Sequence, residues 1–185
     1  MATLGWTTNG ATNTNYNAGV EVISNLGGAM PEAGTLDSIH VYSSFSNNDT
    51  REAVGIAYSD TAGAPGARIA LTAKTFGSSP AWITYTAGSE SLSAAQYYAG
   101  MQMESAATNL FYDDSISGYN EYSYNGTWND TTPNPSDPFG GSLTTANRRM
   151  SIYITYTPTA TTTRGMPFNS GTAFNGGRPL TGIIR

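Results

Sequence analysis

The sequence predicts an all-β sandwich followed by an extended C-terminal arm. Three observations carry that reading. First, of 185 residues only 11% are charged and 38% are hydrophobic. Good solvent-facing helix formers are therefore scarce, while Thr, Tyr, Val and Ile suit a pleated surface and Gly and Asn suit turns. Second, the apolar residues fall into short alternating runs separated by turn clusters, with no sustained 3.6-residue period. Third, the last 29 residues, 157–185, differ in composition from everything before them. An aromatic content of 11% argues for a folded chain rather than a disordered one.

The runs follow in order. Leu4 and Trp6 open the chain, and Val20 and Val22 alternate next. Ile39 and Val41 flank His40, which alternation places on the opposite face. Val54, Ile56 and Tyr58 form a clean run, and Ile69 and Leu71 follow the turn Asp60-Thr61-Ala62-Gly63-Ala64-Pro65-Gly66. Ile83 and Tyr85 alternate with Trp82 and Thr84. Tyr97, Ala99, Met101 and Met103 make a long run, Leu110-Phe111-Tyr112 a short one, and Met150, Ile152, Ile154 and Tyr156 close the body. Strands at such regular spacing read as a sandwich or barrel. The expected organisation is a β-sandwich domain over 1–156 and an arm over 157–185.

Two segments break the pattern. Residues 113–147 are rich in Asn, Ser, Asp, Gly, Pro and Tyr with little alternation, and are expected to form a long functional or self-packed loop. Tyr119, Tyr122, Tyr124, Trp128 and Phe139 are its packing side chains. The arm contains no Asp or Glu and carries Arg164, Arg178 and Arg185, a charge of +3, which leaves the body at −8 (−5 minus +3). Its phrase Phe168-Asn169-Ser170-Gly171 is echoed by Phe174-Asn175-Gly176-Gly177, and Leu180, Ile183 and Ile184 lie near its end. It is too apolar for a solvated tail and too Gly-rich for a domain. An arm docked on its own body or on a neighbour satisfies both constraints.

Composition and motifs narrow the chemistry. There is no cysteine, so disulfides and thiolate metal sites are excluded. A lone strand histidine, His40, reads as a satisfied surface or core group rather than a catalyst. No G-x-S-x-G, H-E-x-x-H or P-loop occurs. Glu104, Asp113, Asp114, Glu121, Asp130 and Asp137 offer carboxylates, but their spacing selects no acid–base pair. The chain is accordingly expected not to be an enzyme, with no catalytic residue and no cofactor. Asp113, Asp114, Asp130 and Asp137 are hard oxygen donors of the kind Ca²⁺ takes, yet no EF-hand spacing appears and solvated turn aspartates are the simpler reading, so no metal site is assigned. A pI of about 4.6 argues against nucleic acid, and Arg148-Arg149 reads as an ion-pair partner for acidic neighbours. No stretch reaches the length of a membrane-spanning helix, and no signal peptide is visible at the start.

Aromatic side chains beside Asn and Asp are the remaining signal. Trp82 lies opposite Ile83 on its strand and points outward, and Trp128 and several tyrosines crowd the long loop. The candidate ligand-binding residues are Trp82, Tyr119, Tyr122, Trp128 and Asp137, which suit stacking on and hydrogen bonding to a sugar ring. The competing reading is that these rings pin the loop or fill an oligomer interface.

Several phrases carry a resemblance: Ala57-Tyr58-Ser59-Asp60 through Gly63-Ala64-Pro65-Gly66, Leu92-Ser93-Ala94 leading to Tyr97-Tyr98, Phe111-Tyr112-Asp113, Pro135-Ser136-Asp137-Pro138-Phe139-Gly140, and Arg148-Arg149-Met150-Ser151-Ile152-Tyr153-Ile154-Thr155-Tyr156. Over about residues 35–157 the chain resembles a β-sandwich module of phage and prokaryotic surface proteins. The resemblance implies an antiparallel jelly-roll-like β-sandwich with a carbohydrate-binding or adhesin character. Together with the basic arm, it gives the expectation of a structural virion protein of a tailed bacteriophage, either a capsid decoration (cement) protein or a fibre-head subunit. Such a protein would be located in the extracellular particle, be a homo-oligomer (trimer by analogy) and dock on a phage shell or fibre protein. The arm residues expected at that interface are Arg164, Phe168, Phe174, Arg178, Leu180, Ile183, Ile184 and Arg185. The alternative expectation is a carbohydrate-binding or receptor-recognition module that engages a host-surface glycan through the loop aromatics. Neither nucleic acid nor membrane insertion is expected.

Overall fold

A computed structural model describes residues 1–45, 51–76, 79–104, 108–128, 133–140 and 144–159. The expected arm contacts, Arg164 to Arg185, lie outside the described residues, as does Asp130. The described chain contains strands and no helix. In order these are β1 (Ala2–Gly5), β2 (Thr12–Tyr16), β3 (Val20–Ala29), β4 (Gly34–Phe45), β5 (Arg51–Thr61), β6 (Ala64–Phe76), β7 (Ala81–Thr86), β8 (Ser91–Leu92), β9 (Gln96–Met103), β10 (Thr108–Asp114), β11 (Glu121–Asn125), β12 (Thr144–Ala146), β13 (Arg148–Met150) and β14 (Ile152–Pro158).

They form two antiparallel sheets packed face to face, a β-sandwich. Take β1, β3, β4, β5, β6, β7, β9 and β14 as principal strands one to eight. One sheet then pairs one-eight-three-six (β1, β14, β4, β7) and the other two-seven-four-five (β3, β9, β5, β6). That interleaving of two Greek keys is the jelly-roll order. The other strands are additions to it. β10 takes over the edge of β4 where β14 leaves it: Val41 pairs with Ile152, and Ser43 pairs with Leu110. β2 and β13 attach to β10, and β8 to β4. In the second sheet β11 extends β3, and β12 extends β11.

Alternation explains which side chains meet. Val20, Val22, Leu26, Leu36, Ile39, Val41, Tyr85, Met101, Met103, Leu110, Ile152, Ile154 and Tyr156 face inward and form the core between the sheets. Each fully buried large side chain of this kind contributes about 1.5–3 kcal/mol of transfer free energy. The core is close-packed where Gly55 of β5 faces Tyr85 of β7, since a Cβ there would stand 2.4 Å from the ring. The turn read from the sequence as Asp60–Gly66 is shorter in the structure. Thr61 pairs with Ala64, leaving a two-residue hairpin turn at Ala62 (φ 55°) and Gly63 (φ 85°). Both central residues are left-handed, the conformation that matches the strand twist. Asp60 accepts a hydrogen bond from the Gly63 amide and holds it.

The segment 113–147 departs from its expected reading as one long loop. It supplies β11 and β12 to the six-stranded sheet, and residues 133–140 lie on the outer face of that sheet. This cover explains why β9 is buried on both faces. Tyr97, Ala99, Met101 and Met103 meet the core, while Tyr98, Gly100 and Gln102 are closed off on the other side.

Candidate functional site

Each sheet has an outer face, and the two are built differently. The outer face of the eight-stranded sheet has no strand layer over it among the described residues. The residues that alternate with the buried core positions come to that face: Tyr153 of β14, His40 and Tyr42 of β4, Trp82 of β7 and Phe111 of β10. Register brings them together, because Tyr153 pairs with His40 and Tyr42 with Trp82. The rings touch in series. His40 stacks on Tyr153 at 4.2 Å and 8° between planes, and Tyr153 meets Trp82 at 5.0 Å. Trp82 meets Tyr42 at 5.4 Å, and Tyr42 meets Phe111 at 4.9 Å. All five are half-buried.

Polar groups edge this row. His40 Nε2 lies 2.7 Å from Ser38 Oγ and its Nδ1 lies 3.1 Å from Thr84 Oγ1. Those two hydroxyls, Ser38 from the ring's own strand β4 and Thr84 from β7, fix the ring. At the Phe111 end, Asn13 pairs with Phe111, and Asn15 Nδ2 donates to Asn109 Oδ1 at 3.4 Å. The five rings and these neighbours carry no Asp, Glu, Lys or Arg. Such a surface offers apolar ring faces bordered by neutral donors and acceptors.

The outer face of the six-stranded sheet is instead roofed. Ile23, Val54, Ile56, Tyr58, Tyr98, Tyr122 and Phe139 form a second buried cluster, with Tyr124 and Trp128 packed against it. Phe139 lies edge-on to Tyr58 at 5.1 Å, and Tyr98 edge-on to Tyr122 at 5.4 Å. Asp60 ties the hairpin to this face by accepting from the Tyr98 hydroxyl at 2.9 Å. Arg68 and the roof are joined by the Arg68 amide donating to Asp137 Oδ1 at 3.0 Å and by its guanidinium donating to the Pro135 carbonyl.

Glu21 holds the roof at one end. It is 1% exposed, and both of its oxygens accept. Oε1 takes the Ser136 amide at 2.7 Å, and Oε2 takes the Ser136 hydroxyl at 2.8 Å and the Tyr58 hydroxyl at 3.0 Å. Burial, reinforced by the negative charge of Glu21, pushes the Tyr58 phenol well above its ordinary value, so it stays a neutral donor. Beside this anchor a cleft of about 340 Å³ opens, lined by Glu21, Tyr124, Asn125, Gly126, Thr127, Asn134 and Ser136.

A third cluster closes one end of the sandwich. Arg149 donates to Asp113 at 3.0 Å and lies over the Trp6 ring, 3.4 Å from its centroid, with Tyr119 farther off at 5.6 Å. Arg148 bridges Asp114 at 3.3 Å and the buried Glu121 at 3.1 Å, and Glu121 also accepts from Tyr16 at 2.5 Å. The expectation that Arg148-Arg149 pairs with acidic neighbours holds. Asp113 and Asp114 are thereby spent on arginines and Asp137 on a backbone amide. Among the described residues no three acidic or imidazole groups converge to hold a metal.

The five candidate ligand-binding residues therefore do not form one site. Trp82 points outward as alternation required, but on the face opposite the long segment. Tyr122 and Trp128 are roof-packing groups, Asp137 fastens the roof to β6, and Tyr119 belongs to the Arg149 cluster, lying against Gly27. Sequence reasoning missed Tyr42, Phe111 and Tyr153. The signal was present, since each alternates with core residues just as Trp82 does. It also missed Glu21, Gln102, Asn125 and Asn134, for which only register and the path of the roof carry the information. No family model, curated protein or solved structure shows a significant match to the chain.

Proposed function

We propose that this domain is a non-catalytic recognition module that binds a glycan on the outer face of its eight-stranded sheet. The observation that supports this is the continuous row of Tyr153, His40, Trp82, Tyr42 and Phe111 on a face that has no strand layer over it among the described residues, edged by Ser38, Thr84, Asn13, Asn15 and Asn109. The C–H faces of pyranose rings pack on aromatic faces, and sugar hydroxyls need neutral donors and acceptors at the rim. Strands about 4.8 Å apart set the rings across the sheet at a repeat close to one sugar residue, so a chain of several units suits the row better than a single sugar. None of the five rings or of these edging residues is Lys or Arg, and the residues before the arm carry −8, which together speak against a phosphate backbone. A glycan array tests the reading. The wild type is expected to bind neutral chains, and Trp82→Ala to lose the signal with an unchanged circular dichroism spectrum. A silent array, or a Trp82→Ala protein that binds as well as wild type, would refute it.

A second reading, compatible with the first in a fibre head, is a structural subunit of a tailed-phage particle that docks through its C-terminal arm. The charge asymmetry supports it: +3 over 157–185 against −8 over the remainder. Light scattering on the full chain and on a chain ending at Thr159 tests this reading. The stop keeps the bond from the Thr159 amide to Ala33, so the sandwich is left whole. An oligomer that falls to monomer on truncation is expected, and an undiminished oligomer would count against the arm.

A further inference from the structure

We infer that the cleft beside Glu21 is a second ligand site, separate from the ring-lined face, and that it takes a single neutral polyhydroxylated ring such as one terminal sugar residue. Three observations lead there.

The walls are prebuilt. Gly19 (φ 80°) and Gly126 approach so closely that a Cβ on Gly19 would stand 2.6 Å from the Gly126 carbonyl oxygen, and one on Gly126 3.0 Å from both Glu21 Oε1 and Gln102 Nε2. Only glycines let the chain after β11 lie this low on the sheet. Gln102, fully buried, donates from Nε2 to the Gly19 carbonyl at 3.1 Å and the Thr127 carbonyl at 3.5 Å. Glu21 fixes the facing wall through Ser136. Two buried polar side chains of β3 and β9 thus set both rims of the cleft, which lowers the ordering cost of binding.

The fixing groups leave the outer ones unspent. The side chains of Asn125, Thr127 and Asn134 are exposed at the rim, and none forms a hydrogen bond with another described residue. Two amides and a hydroxyl supply donors and acceptors in both senses, which is what a ring of hydroxyl groups requires. Tyr124 adds a half-buried ring to one wall.

Size and charge select the ligand. A volume of about 340 Å³ lies at the low end of small-molecule sites and is enough to seat one sugar ring. The Glu21 carboxylate already accepts three hydrogen bonds, so it is not a free counter-ion. Its charge still disfavours an anionic ligand such as a uronic acid.

The test is an amide NMR titration of the full chain with single sugars, one neutral hexose, one N-acetylhexosamine, one amino sugar and one uronic acid. Saturable shifts confined to residues 124–127 and 134–136 are expected with a neutral sugar. The double variant Asn125→Ala/Asn134→Ala should bind roughly tenfold more weakly, the loss expected for one or two hydrogen bonds. Both sites are exposed, so its spectrum should otherwise overlay that of the wild type. Trp82→Ala should titrate like wild type even where it loses array binding, which separates this site from the ring-lined face. No localised shift with either neutral sugar, an unchanged affinity in the double variant, or a preference for the amino sugar or the uronic acid would each overturn the inference.

Discussion

Replacing Glu21 by Gln isolates the anchor on which the roof of the six-stranded sheet depends. The glutamine carbonyl takes over from Oε1 and keeps the bond from the Ser136 amide. Its NH₂ group replaces Oε2, where the carboxylate received two hydroxyl donors, Tyr58 at 3.0 Å and Ser136 at 2.8 Å. Both hydroxyls must turn to accept. The Tyr58 hydroxyl keeps an alternative acceptor in the Ser136 carbonyl at 2.8 Å, and the Ser136 hydroxyl already accepts from the Gly140 amide at 3.2 Å. All three bonds, that from the Ser136 amide included, lose their charge assistance. Each falls from about 1.5–3 kcal/mol to about 0.5–1.5 kcal/mol, a loss of about 3–4.5 kcal/mol in all, from which the lower desolvation cost of a neutral amide subtracts. Equilibrium urea unfolding followed by tryptophan fluorescence measures it, and limited proteolysis within 125–140 reports whether the roof loosens first. Unchanged urea stability together with unchanged protease resistance would show that Glu21 does not anchor the roof.

Three further outcomes follow from the core and the polar clusters. Gly55→Ala puts a Cβ 2.4 Å from the buried Tyr85 ring, and is expected to destabilise the fold by about 1–3 kcal/mol in thermal unfolding. Tyr16, Tyr58, Tyr85 and Tyr98 are held above the ordinary phenol value of 10.0, chiefly by burial. Raised values give stability that is complete below pH about 10 and drains away above it, so these tyrosines should ionise only with unfolding. All twelve tyrosines titrating near pH 10 in a folded protein would contradict this. At Asp113, burial pulls upward, but the Ala11 amide and Arg149 outweigh it and hold the carboxyl below its ordinary value of 3.8. A depressed value stabilises above that pH and is lost as pH falls through the lowered value. Asp113→Asn should therefore flatten the acid limb of a stability–pH curve below about pH 4, with the modest effect of a half-exposed pair.

Much of the fold was legible because the period of two survives wherever a face is buried. Val20–Val22, Ile39–Val41, Ile83–Tyr85 and Ile152–Ile154 all point inward as alternation required. β2 was not legible, since Thr-Asn-Thr-Asn-Tyr offers the core only Tyr16 at its end and is otherwise held by pairing with β10. β11 hid for a related reason. Its outward Tyr122 is buried, and Tyr124 half-buried, under the roof rather than in the sandwich, and its inward Glu121 is satisfied by Arg148 and Tyr16. The site was half legible. Alternation was applied to His40 and Trp82 alone, although the same rule places Tyr42, Phe111 and Tyr153 beside them. The cleft depends on where a Gly-permitted crossing lays residues 126–136 over Glu21, and a one-dimensional pattern does not encode that crossing.

The pairing of β1 with β14 bears on how the chain is made. Among the described residues Ala2–Gly5 finds its ladder partner only in Tyr153–Tyr156, on the last described strand of the sandwich. A growing chain therefore leaves the ribosome with its first strand unpaired until nearly the whole sandwich has been synthesised. β3, β9, β5 and β6 complete the principal strands of their sheet by residue 103, long before the other sheet can close. In that interval Leu36, Ile39 and Val41 of β4 stand ready with β7 but without β14. Vectorial synthesis is therefore expected to pass through a half-sandwich with an exposed apolar face, which β14 then helps to close. Truncations that remove β14 are expected to yield aggregating chains rather than smaller domains.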